Sequence, residues 1–522
     1  MADLIVHGGP LLTQDRKHPV AEALAVTKGK IGAVGAAKDV MPLATPGTRY
    51  LDLGGRTLIP AFNDGHAHIW KIGHLLTTMV DLRRIDSMAG LQDALRRVAA
   101  QRPPERWLVG RGYNETRMAE RVGPTRVELD RAVPDRPVVL TRTCGHIYAC
   151  NSVALERAGI GRSTPDPPGG VIERGPDGTP TGVLHETAMG LVNTRMPAPT
   201  RDEYAAMVTA ALGHQLSLGI TSTNDAGVAP GLLAVYRWMD VEHLLPSRVN
   251  VMALKKVDGV GTVALPEMWV SDHLRVDTVK FLADGGLSGA TAALSVPYRH
   301  APTKGVLRFT DDDLLDLCLG AHQAGWRIAI HAIGDVTIDQ VLRVYQELGK
   351  GPKRHRIEHL GLPSASHLKA LAKLGVIAVP QSVFLHALGR NFRAFLPEAF
   401  LPRTYPIRAM IDAGLTVALS SDAPVVEDDR PLLGIRAAID RCDDEGVVIA
   451  GDQAITAAEA LYAYTMGGAI ASGDDDNRGS LTPGKWADLA VLSANPLTTP
   501  VESLTTIMVD QTYVAGKLVF ER

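Results

Sequence analysis

The stretch Pro60-Ala61-Phe62-Asn63-Asp64-Gly65-His66-Ala67-His68-Ile69-Trp70 puts two histidines one residue apart, directly after an apolar run and a glycine. With Thr57-Leu58-Ile59 before it, the stretch reads as a buried strand ending in His-Ala-His. Residues two apart on a strand point the same way, so His66 and His68 face one centre. Alone the pair decides little, because a strand-end histidine is more often a hydrogen-bonded core residue than a ligand. Its meaning depends on what the other strands bring.

Seven more short apolar runs follow: GITSTND, RVNVMAL, DTVKFLADG, RIAIHAIGD, HRIEHL, VIAVPQSV and TVALSSD. Amphipathic helical patterns lie among them, in LLDLCLGAHQAG, IDQVLRVYQELG, ASHLKALAKLG and TYPIRAMIDAG, each closing on glycine. Short strands alternating with helices are the signature of βαβ units and a parallel sheet. The expectation is an α/β chain with a (β/α)8 TIM-like barrel over residues 57–70 and 200–477.

The two ends have another texture. ADLIVHGG, ALAVTKGKIGAVG and RYLDLGGRTLIPAF alternate apolar and polar residues and break at glycine pairs, as do GSLTPGKWADLAVLSANP and TIMVDQTYVAGKLVFER. Residues 1–56 and 478–522 are therefore expected to pair into one small composite β-sandwich. Residues 71–199 fit no single βα unit and read as a lobe inserted after strand one, covering the substrate. The run Asp474-Asp475-Asp476 reads as a solvated loop. Phe384–Thr404, with its aromatics and arginines, reads as a lid or a plain long loop.

Composition narrows the function. The chain has 522 residues and a formal net charge of −3, so no basic field points to nucleic acid or an anionic membrane. The N-terminus lacks a secretory pattern, and no uncharged apolar run reaches the ~18 residues of a membrane span. Cys144, Cys150, Cys318 and Cys442 show no CxxC spacing and read as reduced thiols. The expected setting is cytoplasmic, with a small-molecule substrate, no nucleic-acid or membrane partner, and homo-oligomerisation left open.

In a barrel of this kind the catalytic residues come from the C-terminal strand ends. Here those ends carry His66 and His68 (strand one), Lys280 (strand four), His331 (strand five), His359 (strand six) and Asp422 (strand eight). Neutral imidazole is the commonest biological metal ligand. A carboxylate such as Asp422 suits a divalent ion and also takes a proton. Each residue alone has a bland explanation: a core histidine, an outward-facing lysine, a helix-capping aspartate. Six of them at the same ends of five strands point to a metal site.

The chain resembles the amidohydrolase superfamily, in the family 3 branch that includes N-substituted formamide deformylase. The resemblance covers nearly the whole length, in PAFNDGHAH, PDRPVVLTRTCGHIYACNSVAL, GGVIERGPDGTPTGVLHE, GITSTNDAG, VKFLADGGLSGATAAL, IHAIGD, RHRIEHLGLP, SSDAPV and GSLTPGKWADLAVL. It implies a barrel with a composite sandwich and metal at the barrel mouth. His66, His68 and Asp422 would hold one ion, and His331 and His359 a second. Lys280 stands where many relatives carry a lysine carboxylated by carbon dioxide. An ammonium has no lone pair and repels cations, whereas a carbamate is anionic and can bridge two. The ligand set suits two zinc ions best, with manganese, iron, cobalt and nickel left open.

The expected chemistry is hydrolysis of an amide or formamide-like C–N bond. Two ions share a hydroxide and polarise the carbonyl, while Asp422 accepts a proton and delivers one to the leaving nitrogen. The deaminase branch carries a glutamate three residues after the strand-five histidine; here that position is Gly334. Another branch uses a cysteine ligand, and none of the four cysteines lies at a predicted strand end on the barrel. Candidate substrate contacts are His146, Trp70, Tyr148 and Asp284, with Glu186 behind them. The alternatives are a lactone or cyclic-amide hydrolase, a metal-dependent decarboxylase or lyase, and a non-catalytic regulatory or binding protein on the same fold.

Overall fold

The computed structural model describes residues 2–103, 105–258 and 260–522. Its centre is a curled parallel sheet with strands in chain order: β1 (Phe62–Ala67), β2 (Ile220–Val228), β3 (Arg248–Leu254), β4 (Leu274–Leu282), β5 (Arg327–Ala332), β6 (Arg356–His359), β7 (Ile377–Val379) and β8 (Thr416–Val417). They fall at the runs the sequence predicts, except that the first run is split and its Thr57–Pro60 half forms a strand of a different sheet. β1 and β5 are buried at every position, as expected where helices cover the outside of a parallel sheet. The short strand Trp269–Val270 adds to β4 in the antiparallel sense.

The circle closes through backbone hydrogen bonds rather than a regular ladder. Gly65 donates to Leu419 O (3.3 Å), Asp422 to His66 O (2.8 Å) and His68 to Ala423 O (2.8 Å). Asp64 adds a side-chain stitch, accepting from Ser421 N at 3.1 Å and Ser421 Oγ at 2.5 Å. The ends of the first and last strands therefore face each other.

The helices form where the glycine-terminated patterns lie: Asp311–Gln323, Asp335–Leu348, Ala365–Leu374 and Ile407–Asp412. Ala365–Leu374 shows the local logic. Ser364 Oγ accepts from His367 N, His367 Nδ1 in turn accepts from Ser364 N, and Gly375 ends the helix at φ 72°. Buried Leu368 and Leu371 join the same core as Ile328, Ile330, Val341 and Ile357.

Strands from both ends of the chain share a second sheet, in the order Lys517–Glu521, Val509–Val514, Leu489–Leu492, Thr57–Pro60, Leu11–Leu12, Val20–Ala21. Leu58, Leu489, Val491 and Tyr513 of that sheet share an apolar cluster with Leu4, Val6, Leu24 and Val26 of a neighbouring four-stranded sheet. Between Val80 and Glu186 lies a further six-stranded sheet with apolar clusters of its own.

Two expectations are corrected. Phe384–Thr404 is neither lid nor plain loop: Val383–Phe395 is an α-helix followed by a 3-10 turn at Glu398–Arg403, and Phe384, Leu385, Leu388 and Phe392 are buried. The acidic run is only partly solvated. Asp474 is 5% exposed and pairs with Arg478, four residues on, and with Arg275. The run reads as exposed only until those cations, distant or out of register in the sequence, are placed beside it.

Candidate metal centre

His66 and His68 stand at the end of β1, their rings 5.7 Å apart. His66 donates from Nδ1 to Glu358 Oε2 at 2.5 Å, leaving its Nε2 lone pair facing Asp422 Oδ1 at 3.5 Å. His68 donates from Nδ1 to Ala226 O at 2.7 Å, leaving Nε2 at 3.2 Å from the same carboxylate oxygen. Ligand atoms of His66, His68 and Asp422 all lie within 4.8 Å of one another, a set that can hold one divalent ion.

His359 and His331 extend the cluster. Their rings are 4.4 Å apart, and His359 lies 5.0 Å from His66. His359 donates from Nδ1 to Gln381 Oε1 at 2.6 Å. Gln381 is itself held by Val379 O and Ser420 Oγ, so its oxygen can only face the imidazole. His331 is held through the other nitrogen, Nε2, by Gly285 O (3.1 Å) and Asp284 Oδ1 (3.2 Å), which leaves Nδ1 free. Each ring thus has one nitrogen pinned by an acceptor and one lone pair available, the arrangement that fixes a metal-binding tautomer.

Burial holds these imidazoles neutral. His66 and His331 fall well below the usual histidine range, His68 to about 4 and His359 to about 3, in each case chiefly through loss of solvation. Lys280 is 1% exposed, and its Nζ has no hydrogen-bond partner among the described residues. Burial lowers it to about 8 against the pull of Glu358 and Asp422. Asp422 is held well below the usual carboxylate range: burial opposes this, but the close approach of the His68, His66 and His359 rings outweighs it. An orphaned lysine nitrogen and an anionic carboxylate among neutral imidazoles form a donor set suited to a divalent cation.

Backbone strain marks two of these positions. Asp422 has φ 54° and His359 φ 70°. On a regular strand Glu358 and His359 would point to opposite faces. Here both reach His66, because the chain turns at His359 out of the extended region.

The sequence reading missed the residues that hold the candidate ligands. Glu358 is gripped by Arg356, Nε to Oε1 at 2.8 Å and Nη2 to Oε2 at 2.9 Å, and Arg356 also donates to Gly65 O and Asn224 Oδ1. The available signal was Arg-x-Glu in HRIEHL, a same-face ion pair two apart on a buried strand. Gln381 and Asp64 were equally overlooked.

The other candidates fall in different places. Asp284 is fully buried and accepts from Ile333 N, Gly334 N, Ala293 N and Thr337 Oγ1 as well as His331. Burial pushes it up to about 6, against those bonds. His146 lines the cavity at the centre together with His331, His359, Phe384, Tyr405 and Asp422. It pairs with Glu186 at 2.9 Å and lies 5.9 Å from His331. Trp70 stacks on His74 and packs on Tyr204, and the Tyr148 hydroxyl donates to Asn193 at 2.8 Å; neither lines that cavity. Leu388 and Val425 join the cavity to a wider one of about 340 Å³, edged by Arg83, Asn114, Arg117 and Thr143 of the segment after β1.

Residues 49–520 match the model of the amidohydrolase family, and the chain belongs to that family, a class of metal-dependent hydrolases with a TIM-barrel-like fold. It is 29% identical to the N-substituted formamide deformylase of Arthrobacter pascens, over 100% of this chain and 99% of that one. Among solved structures it resembles an uncharacterized metal-dependent hydrolase from Pyrococcus horikoshii OT3 (TM-score 0.78, 27% identity, 96% of this chain and 99% of the other). A second such hydrolase, from Pyrococcus furiosus, has TM-score 0.75 and 25% identity over 95% of this chain and 100% of the other. Among the described residues no helix is long and apolar enough to cross a membrane.

Proposed function

We propose that the protein hydrolyses an amide or formamide-like, non-peptide C–N bond at the centre formed by His66, His68, Lys280, His331, His359 and Asp422. The observation that carries this reading is the convergence of pinned, neutral imidazoles on an unpartnered lysine amine and an anionic carboxylate. His66, His68 and Asp422 would hold one ion, with His331 and His359 offering a second position. Zinc fits this ligand set best. Divalent ions bound there would supply Lewis acidity and make water nucleophilic near neutral pH.

The chain's own residues do the rest. Asp422, 3.2 Å from His68 and lining the cavity, is proposed to accept a proton from the attacking water and return one to the departing nitrogen. Lys280 is proposed to react as the free amine with carbon dioxide, forming an N–C bond and releasing one proton. The resulting carbamate anion would satisfy the orphaned position between the imidazoles. His146, held by Glu186, is proposed to donate a hydrogen bond to the substrate oxygen, and Asp284 to hold His331 in place.

The domain division follows the same reading, a β-sandwich from 1–56 and 478–522, a catalytic barrel from 57–70 and 200–477 and a lobe from 71–199 over the mouth, except that the boundary drawn at 57 moves to 61 because Thr57–Pro60 pairs within the sheet shared by the two chain ends. Gly334 weighs against a deaminase. A Cβ there would lie 1.9 Å from Ala293 O, so the position does not accept a glutamate without moving the neighbouring loop.

The test is a metal analysis combined with a screen of N-formyl and N-acyl amines, lactones and cyclic amides. Metal-dependent turnover of the amines that disappears in a folded Asp422→Asn variant is expected. Turnover of lactones alone would move the activity to C–O bonds. An inert protein that takes up no metal would point to a binding module.

A further inference from the structure

Beside the metal centre two cations lack a counter-charge. Arg111, on the strand Leu108–Tyr113, is 3% exposed. Its Nε reaches Pro424 O at 3.4 Å, and among the described residues its two Nη groups have no hydrogen-bond or ion-pair partner. Neither Nη is completely sealed, although Arg111 itself does not line the cavity at the centre and lies behind residues that do. A Cβ on Gly145 would lie 3.4 Å from Nη2 and 3.6 Å from Nη1, which puts the guanidinium under the turn Cys144-Gly145-His146. Cys144 and His146 line the cavity at the centre, as do Asp422 and Val425 on either side of the bond to Pro424.

Lys71 is the second cation. It stands in the first turn of the helix Ile69–Thr77, three residues after His68. Its Nζ also keeps open space and has no partner among the described residues. Arg111, Asp422 and Asp225 are the charges that act on it most.

The nearby carboxylates are already engaged. Asp422 faces the imidazoles. Asp225 accepts from the Tyr236 hydroxyl (2.6 Å) and Ile69 N (2.9 Å), and burial pushes it up to about 7, so it is a poor counter-ion. The other deeply buried arginines show what is missing. Arg248 is paired with Asp488, Arg356 with Glu358, and Arg441 donates to three backbone carbonyls. A buried guanidinium without an acceptor is costly, and the cost is relieved when a ligand brings the anion.

We propose that Arg111 and Lys71 form a subsite for a carboxylate on the substrate, so that the amide hydrolysed here is an N-acylated or N-formylated amino acid. This rests on the hydrolase reading above and narrows it. The planar fork of Arg111 matches a planar carboxylate. Lys71, lowered by burial to about 8, adds a point charge suited to a single negative charge. The subsite adjoins Asp422 and His68, so the carboxylate would anchor the substrate within reach of the centre.

The test compares N-formylphenylalanine with N-formylphenethylamine, which lacks only the carboxylate, on the metal-loaded wild type and on Arg111→Met, Arg111→Lys and Lys71→Met. The wild type is expected to favour the acid. Arg111→Met should lower kcat/KM for the acid about ten- to a hundredfold more than for the neutral amide, mainly through KM, with Arg111→Lys between. An equal fall on both substrates, or a wild type that prefers the neutral amide, overturns the subsite. If neither substrate turns over, that outcome counts against formamide hydrolysis and not against the subsite, which is then judged by calorimetry with N-acetylglycine. Binding lost in Arg111→Met sustains it, and no binding by the wild type sinks it. Tighter binding of the matching aminomethylphosphonate would reassign the site to phosphoryl groups.

Discussion

Glu358 Oε2 lies 2.5 Å from His66 Nδ1 while Arg356 grips the same carboxylate through two parallel hydrogen bonds. The arginine fixes the carboxylate, the carboxylate fixes the ring, and the ring presents Nε2 to the centre. Replacing Glu358 by glutamine keeps the shape but weakens the acceptor. Metal affinity should fall about ten- to a hundredfold, measured by competition with a chelator. Glu358→Ala strands the Arg356 charge and should cost about 3–5 kcal/mol in denaturant unfolding.

Lys280 sets stability against function. Its amine is buried without a partner, so Lys280→Met should stabilise the metal-free protein by about 1–3 kcal/mol. The same variant should lose turnover and one of the two proposed ions. A melting curve and a metal assay on one preparation check both signs.

The His146–Glu186 pair gives a pH signature. Burial opposes both charges, but each partner overcomes it: His146 rises from 6.5 to about 8 and Glu186 falls from 4.5 to about 2. The raised imidazole contributes fully below about 6.5 and nothing once pH passes about 8. The depressed carboxyl contributes above about 4.5 and is lost as pH falls through about 2. Glu186→Gln should therefore cost about 2 kcal/mol between pH 5 and 6, with the deficit shrinking towards pH 9. A deficit that grows with pH would contradict the pairing.

Gly334 is the tightest point near His331. Gly334→Ala puts its methyl group 1.9 Å from Ala293 O and displaces the amide that donates to Asp284 at 2.8 Å. A loss of roughly 1–3 kcal/mol in unfolding free energy is expected. Weaker metal binding should accompany it, since Asp284 also holds His331.

The barrel strands were legible because each is a short buried run bounded by turn residues, and the histidines, Lys280 and Asp422 because they recur at the same strand ends. The supporting residues were not. Glu358 sits next to His359, where strand alternation assigns it to the opposite face, and only the φ of 70° at His359 brings both to His66. Gln381 follows β7 and carries no pattern of its own. The helix Val383–Phe395 was hidden by Gly389, a poor helix former. In the fold that glycine is needed for contact: a Cβ would lie 2.6 Å from Asp443 Cβ and 2.7 Å from Ile449 Cδ1.

The bond between Asp64 and Ser421 joins residues 357 positions apart, and it closes the ring at the place where His66 and His68 meet Asp422. During synthesis the two histidines leave the ribosome long before the aspartate. The proposed His-His-Asp clasp is therefore completed only when the last barrel strand has been released and has docked.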